Sequence, residues 1–227
     1  MIALCRQQLV WLDADTWRRV TTQLPAGAGW DERALECLEY WARSDLPLVV
    51  ARQPHRGPGR AADEPLTLGL PAPACWERRR LCVEVPAGSI RRVGTFPSTD
   101  AIAEHLPASA RDDWHGLCAG LQRLQVAAHV YGSYGWQQLT GLAYLHAHSD
   151  LDLLILLDTA RQADAAVALL QAGSRIAPRI DGELVFSDGA AIPWREWAAW
   201  RAGTAERVLV KRLHDAALED PRLWAAA

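Results

Sequence analysis

Two carboxylates and a glycine-serine pair are the residues in this chain whose types and spacing could do chemistry. Asp150 and Asp152 open the run Ser149-Asp150-Leu151-Asp152-Leu153-Leu154-Ile155-Leu156-Leu157, in which polar residues come first and an apolar stretch follows. That is the pattern of a buried strand whose mouth opens on a site. Side chains alternate faces along a strand, so the two aspartates point the same way. Their Cα atoms then lie roughly 6–7 Å apart, near enough to hold divalent ions spaced about 3.5–4 Å from each other. Without a cation, two carboxylates on one face of a sheet repel and are costly to desolvate. Mg²⁺ favours carboxylate, water and phosphate oxygens, and a pair of such ions suits this spacing. Gly132-Ser133 supplies the other half, because glycine lets backbone N–H groups approach a phosphate closely and the adjacent hydroxyl donates to it. The preceding Ala127, Ala128 and Val130 make the pair the end of a strand or a helix-to-strand turn. The expected chemistry is metal-dependent phosphoryl transfer. Each piece alone has a bland alternative: a solvated strand end or helix cap for the aspartates, a chance dipeptide for the glycine and serine.

Several elements must position these residues. Gln8–Leu12 reads as a strand, Asp31–Ala42 as a helix with Leu35, Leu38 and Trp41 on one stripe, and Pro47–Arg52 as a second strand. Gln53–Asp63, with Pro54, Gly57, Pro58 and Gly59, reads as a mobile loop or a tight hairpin connection. Leu66–Leu70 and Arg80–Val85 alternate as further strands, and Gly88–Phe96 holds a turn and one more. This is a β-rich module with one clear helix. At its strand ends Arg52, Arg78, Arg79 and Arg80 could meet phosphate or an acidic carrier protein, or form a basic edge that discourages edge-to-edge pairing. Ser98-Thr99-Asp100 looks like a helix start, and Pro107-Ala108-Ser109 begins a longer helix through Leu117, Leu121 and Leu124. The domain boundary is placed there, giving residues 1–105 and 106–227.

In the second part, Trp136–Leu145 is expected to be helical in part, its first turn aiming N–H dipoles at a phosphate. Asp164–Ala172 reads as a helix ended by Gly173. Arg179–Phe186 is either a strand with Asp181 and Glu183 on one face, or a hairpin turning at Asp181-Gly182. Trp194, Trp197 and Trp200 repeat at helical spacing, which favours core packing over a base-stacking platform. Glu206–Leu218 reads as a closing helix bearing Lys211. His146 and His148 read as loop histidines, since Mg²⁺ prefers oxygen.

Composition excludes several classes. Of the 227 residues 50% are hydrophobic, enough to bury one large core or two small ones. A net charge of −3 offers no broad attraction for a nucleic-acid backbone, so no nucleic-acid polymer is expected as partner. No window approaches a membrane span, and Met1–Trp11 lacks a basic region followed by an apolar signal core; the expectation is a cytoplasmic protein with no membrane partner. Five scattered cysteines without a Cys-x-x-Cys pair argue against a disulfide framework and a zinc site. Lys211 is the only lysine among 24 basic residues, and asparagine is absent. A GC-rich genome accounts for that bias as a whole. A lysine retained among arginines marks a compact charge that could touch phosphate, the alternative being a solvated face.

Gly-Ser followed by Asp-x-Asp opening an apolar strand resembles the polymerase-beta-like nucleotidyltransferase superfamily. The longer string from Tyr131 through Leu153, with its long gap between the two motifs, is similar to one branch, the malonate decarboxylase holo-acyl-carrier-protein synthases or phosphoribosyl-dephospho-CoA transferases. In the first half only Leu9–Leu12 and Pro47–Arg52 match, and both are short. The resemblance implies an α+β chain, a β-rich N-terminal module for carrier or donor docking followed by a nucleotidyltransferase-like domain with a mixed sheet flanked by helices. It implies that Asp150 and Asp152 bind two Mg²⁺ ions, with Mn²⁺ possible, and that Gly132 and Ser133 grip a triphosphate; Lys211 remains a candidate phosphate contact on composition alone. A third carboxylate is common on such a strand; Asp181 is favoured over Glu183. The implied donor is triphosphoribosyl-dephospho-CoA, the acceptor a serine on the acyl-carrier subunit of malonate decarboxylase, and the leaving group diphosphate. Two rival readings stand beside it: a nucleotidyltransferase using ATP or another nucleotide, and a non-catalytic binding module on the same fold.

Overall fold

The computed structural model describes residues 4–22, 30–54, 65–173 and 175–223. Most of the proline- and glycine-rich Gln53–Asp63 connection lies outside the described residues. Contacts divide the chain into two units, Met1–Thr95 with Leu213–Asp215, and Phe96–Arg212 with Ala216–Ala227.

The first unit is an antiparallel sheet with two helices. Its elements are β1 (Leu9–Leu12), α1 (Ala14–Thr22), α2 (Glu32–Arg43), β2 (Leu48–Val50), β3 (Pro65–Pro71), β4 (Arg80–Pro86) and β5 (Ile90–Gly94), with strand order β4-β3-β2-β1-β5. β3 and β4 bury alternate residues, Leu66, Leu68 and Leu70 on one and Leu81, Val83 and Val85 on the other, as a sheet with one wet face requires. Asp31 caps α2 by accepting the Ala34 N–H at 3.0 Å, and Leu38 and Trp41 are fully buried from it. Helix α1 was not among the expected elements. Asp13 starts it, accepting the Thr16 N–H at 2.6 Å, and Trp17 and Val20 hold it down.

The second unit carries the candidate chemistry. It runs α3 (Arg111–Arg123), β6 (Ala127–Tyr131), α4 (Gly132–Thr140), β7 (Leu151–Leu157), α5 (Ala160–Ala172), β8 (Ile180–Phe186), β9 (Ala191–Pro193), α6 (Trp194–Arg201), β10 (Val208–Lys211) and β11 (Ala216–Glu219). The strands form one mixed sheet, β11-β10-β9-β8-β7-β6, in which only β7 and β8 are parallel. A parallel pair needs a crossover, and α5 supplies it, opened by a capping box in which Thr159 and Gln162 satisfy each other's backbone N–H groups. The architecture is α+β, as expected. One face of the sheet, with Leu151, Leu153, Ile155, Ile180 and Leu184, is buried in a core shared with Trp114 and Leu121 of α3, Ala166 and Leu170 of α5 and Trp197 of α6. The tryptophan repeat on α6 is thus core packing at Trp194 and Trp197.

The contact division falls at Thr95 and Phe96, before the 105/106 boundary, because Ile102 and Leu106 are buried in the second unit's core and Trp114 Nε1 donates to the Thr99 carbonyl at 3.1 Å. One expectation is corrected, and one open alternative is decided. Glu206–Leu218 is not a helix but the β10–β11 hairpin. Val208 and Val210 bury a period-two stripe, and pairing with β9 supplies backbone partners that a short helix would have to find within itself. Of the two alternatives for Arg179–Phe186 the strand is found: Asp181 and Gly182 sit inside β8, in register with Asp152 and Leu153.

Gly182 makes that pairing possible. Its φ is +140°, and a Cβ there would overlap the backbone of Leu153 on β7. Gly182→Ala is expected to lower unfolding free energy by roughly 2–4 kcal/mol, measured by chemical denaturation, and to loosen β7 against β8 in amide exchange.

Candidate active site

The parallel register builds the site. Asp150 immediately precedes β7, Asp152 lies within it, and Asp152 stands opposite Asp181 on β8, with Leu154 opposite Glu183. Adjacent strands are about 4.8 Å apart, so the acids that sequence reading separated by a helix are neighbours on the face away from that helix core. On the other side β6 places Tyr131 opposite Asp152. The chain then turns into α4 through Gly132, whose φ is +61°. A Cβ at Gly132 would overlap the Asp152 carboxylate, so only glycine lets the turn come this close. Tyr131, the N-cap, gives no side-chain cap to the first turn of α4, which leaves the amides following Gly132 and Ser133 without that competitor for an anion.

The charges are unevenly compensated. Arg179 clasps Asp150, with Nη2 2.5 Å from Oδ2 and Nε 3.2 Å from Oδ1, and the same Nη2 lies 3.5 Å from Asp181 Oδ2. It holds the Asp150 carboxyl below the usual carboxylate range. Lys211 Nζ donates to Glu183 Oε1 at 2.6 Å. Glu183 is only 5% exposed, and its Oε2 is buried without a hydrogen-bond partner. Asp152 is pushed up to about 7, first by burial and then by the charges of Asp181, Asp150 and Glu183. Among the described residues no three His, Cys, Asp or Glu side chains already converge as a metal cage; the cations on the acids are Arg179 and Lys211.

Asp150, Asp152, Asp181 and Gly132 are brought together, and Ser133 follows in the first turn of α4. Lys211 reaches the same sheet face from β10, through β9, and meets Glu183 instead of projecting from a helix. His146 and His148 stay in the preceding turn, the His148 N–H donating to His146 Nδ1 at 3.1 Å. Arg179 was missed as a site residue. The only local hint was its position at the head of a strand that carries two acids. In the first unit Arg79 is committed to Asp31 and Glu77.

A carboxylate whose folded pKa is raised contributes stability present below its unfolded pKa and lost as pH rises through the folded value. In chelator the protein should therefore lose stability between about pH 4 and pH 7, the upper limit set by Asp152 at about 7. Asp152→Asn removes the charge that burial penalises. It should flatten that slope and stabilise the chain at pH 8 by roughly 1–2 kcal/mol, as read from thermal unfolding across the range.

Family models match along nearly the whole chain: the N-terminal domain of the phosphoribosyl-dephospho-CoA transferase MdcG over residues 5–96, and its C-terminal domain over residues 95–222. The two matches meet where the contacts divide the chain. Among curated proteins, a phosphoribosyl-dephospho-CoA transferase of Xanthomonas axonopodis pv. citri is 38% identical over 94% of this chain and 92% of its own length. One of Bradyrhizobium diazoefficiens is 33% identical over 95% and 89%, and one of Pseudomonas fluorescens 31% identical over 93% of each. No solved structure matches. Among the described residues no helix is long and apolar enough to cross a membrane. The chain is a member of the phosphoribosyl-dephospho-CoA transferase family.

Proposed function

We propose that this chain transfers the phosphoribosyl-dephospho-CoA group from triphosphoribosyl-dephospho-CoA to a serine hydroxyl on the apo acyl-carrier subunit of malonate decarboxylase. The serine oxygen forms a bond to the α-phosphorus, the bond from that phosphorus to the bridging oxygen breaks, and diphosphate leaves; the hydroxyl proton passes to a carboxylate or to water. The observation that carries this reading is the Gly132 turn seated against Asp152, with Asp181 in register beside it. A polyphosphate resting on the uncapped amides of α4 would lie next to the acids.

The donor set fits a hard divalent cation. Its atoms are carboxylate oxygens, burial and then the neighbouring negative charges bear on Asp152, and Glu183 keeps one buried oxygen unpartnered. Asp150, Asp152 and Asp181 would hold two Mg²⁺ ions, or Mn²⁺ in their place. Bound there, the ions would acidify the attacking hydroxyl and neutralise charge on the leaving diphosphate. The chain's own residues do the rest. Gly132 and Ser133 hold the triphosphate against the acids, and Lys211, oriented by Glu183, presents a compact charge to a phosphate oxygen. The nucleophile belongs to the acceptor, so an internal nucleophile is unnecessary and in-line attack is a matter of positioning.

Asp150→Asn and Asp152→Asn should each reduce transfer by at least about 10³-fold while leaving circular dichroism unchanged. The readout is intact mass of the purified carrier subunit. A shift equal to a nucleotide monophosphate, or near wild-type turnover in either variant, overturns the reading. Lys211→Arg keeps the charge but cannot reproduce a single 2.6 Å ammonium contact to Glu183. It should weaken donor binding by about tenfold, measured by calorimetry, with the fold retained.

A further inference from the structure

Resting on that reading of the site, we infer that Arg179 is the exchangeable counter-ion of the acid cluster: it occupies Asp150 and Asp181 in the free protein and transfers its guanidinium to a donor phosphate when divalent cations take the carboxylates.

Four carboxylates, Asp150 just before β7, Asp152 within it and Asp181 and Glu183 on β8, lie on one side of the sheet, and their cationic partners differ in exposure and anchoring. Lys211 stays fixed on Glu183, which is 5% exposed, so it meets a phosphate without leaving its carboxylate. Arg195 is pinned: its guanidinium lies 4.2 Å over the Trp194 ring and donates to the Ile180 carbonyl at 2.9 Å. Arg179 is different. Its side chain is 60% exposed, and among the described residues its guanidinium meets the Asp150 and Asp181 carboxylates at the rim. An exposed ion pair of this kind contributes little stability, so exchanging it costs little.

The exchange is also required by occupancy. Arg179 takes both oxygens of Asp150 and approaches Asp181, the same atoms a divalent ion would need. A fixed positive charge there would oppose the cation. A guanidinium fork that grips a carboxylate through two N–H groups fits two oxygens of a phosphate equally well. Release from Asp150 therefore delivers a phosphate-binding group to the place where the polyphosphate enters. Arg179 would thereby favour metal and donor arriving together over metal alone.

The test uses the full chain, with Mg²⁺ alone and then inorganic tripolyphosphate in the presence of Mg²⁺ as calorimetric probes. In Arg179→Gln, Mg²⁺ alone should bind about tenfold tighter, and tripolyphosphate about tenfold more weakly. Arg179→Lys should return part of the tripolyphosphate affinity, because charge is kept and the fork is lost. If both affinities stay at wild-type values while only the melting temperature moves, Arg179 is a structural staple and the inference is wrong. If Mg²⁺ binds more weakly in Arg179→Gln, the arginine organises the acids instead of competing for them, and the inference is again wrong. If Arg179→Gln does not fold, Arg179→Met, which also removes the charge, carries the same two readouts. Wild-type protein that binds neither probe, matching Asp150→Asn, would sink the proposed function itself; binding that is present but indifferent to Arg179 sinks only this inference.

Discussion

Like charges held side by side by a strand pairing are the constraint on which this structure turns. β7 and β8 run parallel in a register that sets Asp152 against Asp181, with Asp150 before one and Glu183 beyond the other. Water would separate such charges, but the backbone ladder does not allow it. Burial pushes the Asp152 carboxyl up, and the charges of Asp181, Asp150 and Glu183 push it further. The core on the opposite face holds the arrangement in place: Leu151, Leu153, Ile180 and Leu184 are buried there, and turning the acids away would turn these residues out.

Around that cluster the chain uses small residues where approach is needed and cations where charge must be met. Gly182 lets β8 close on β7, and Gly132 lets the α4 turn close on Asp152. Both positions have φ between +60° and +140°, a region in which side chains are strained. Arg179 and Lys211 balance the acids unequally, one exposed at the rim and the other held by a buried glutamate. A site of this kind stores unfavourable electrostatics in the free protein and gains from any ligand that relieves it.

Much of this was legible locally. Polar-then-apolar order marked β7, and period two put Asp150 and Asp152 on one side of it; neither inference needs a partner strand. The glycine and serine at the end of an apolar run marked a strand end or a helix-to-strand turn; β6 ends there, and the chain runs on from strand into helix α4. Errors came where local preference was overruled by pairing. Val208–Lys211 looked helical in its neighbourhood, yet β9 offered an edge and the valines alternate into the core. Asp181-Gly182 left strand and turn equally open, and the parallel neighbour, which requires a glycine without a Cβ in mid-strand, decided for the strand.

The sequence by itself determined which side chains can bind a cation or a phosphate and which of them share a face, because strand periodicity and glycine's conformational freedom are properties of short segments. Tertiary structure decided which acids are neighbours. Asp150 and Arg179 are 29 residues apart in the chain and in direct contact in the fold, and Lys211 meets Glu183 across an intervening strand. Those meetings depend on strand order and register, which are set by the packing of a whole sheet against its helices, and no stretch of sequence short enough to read by period contains that information.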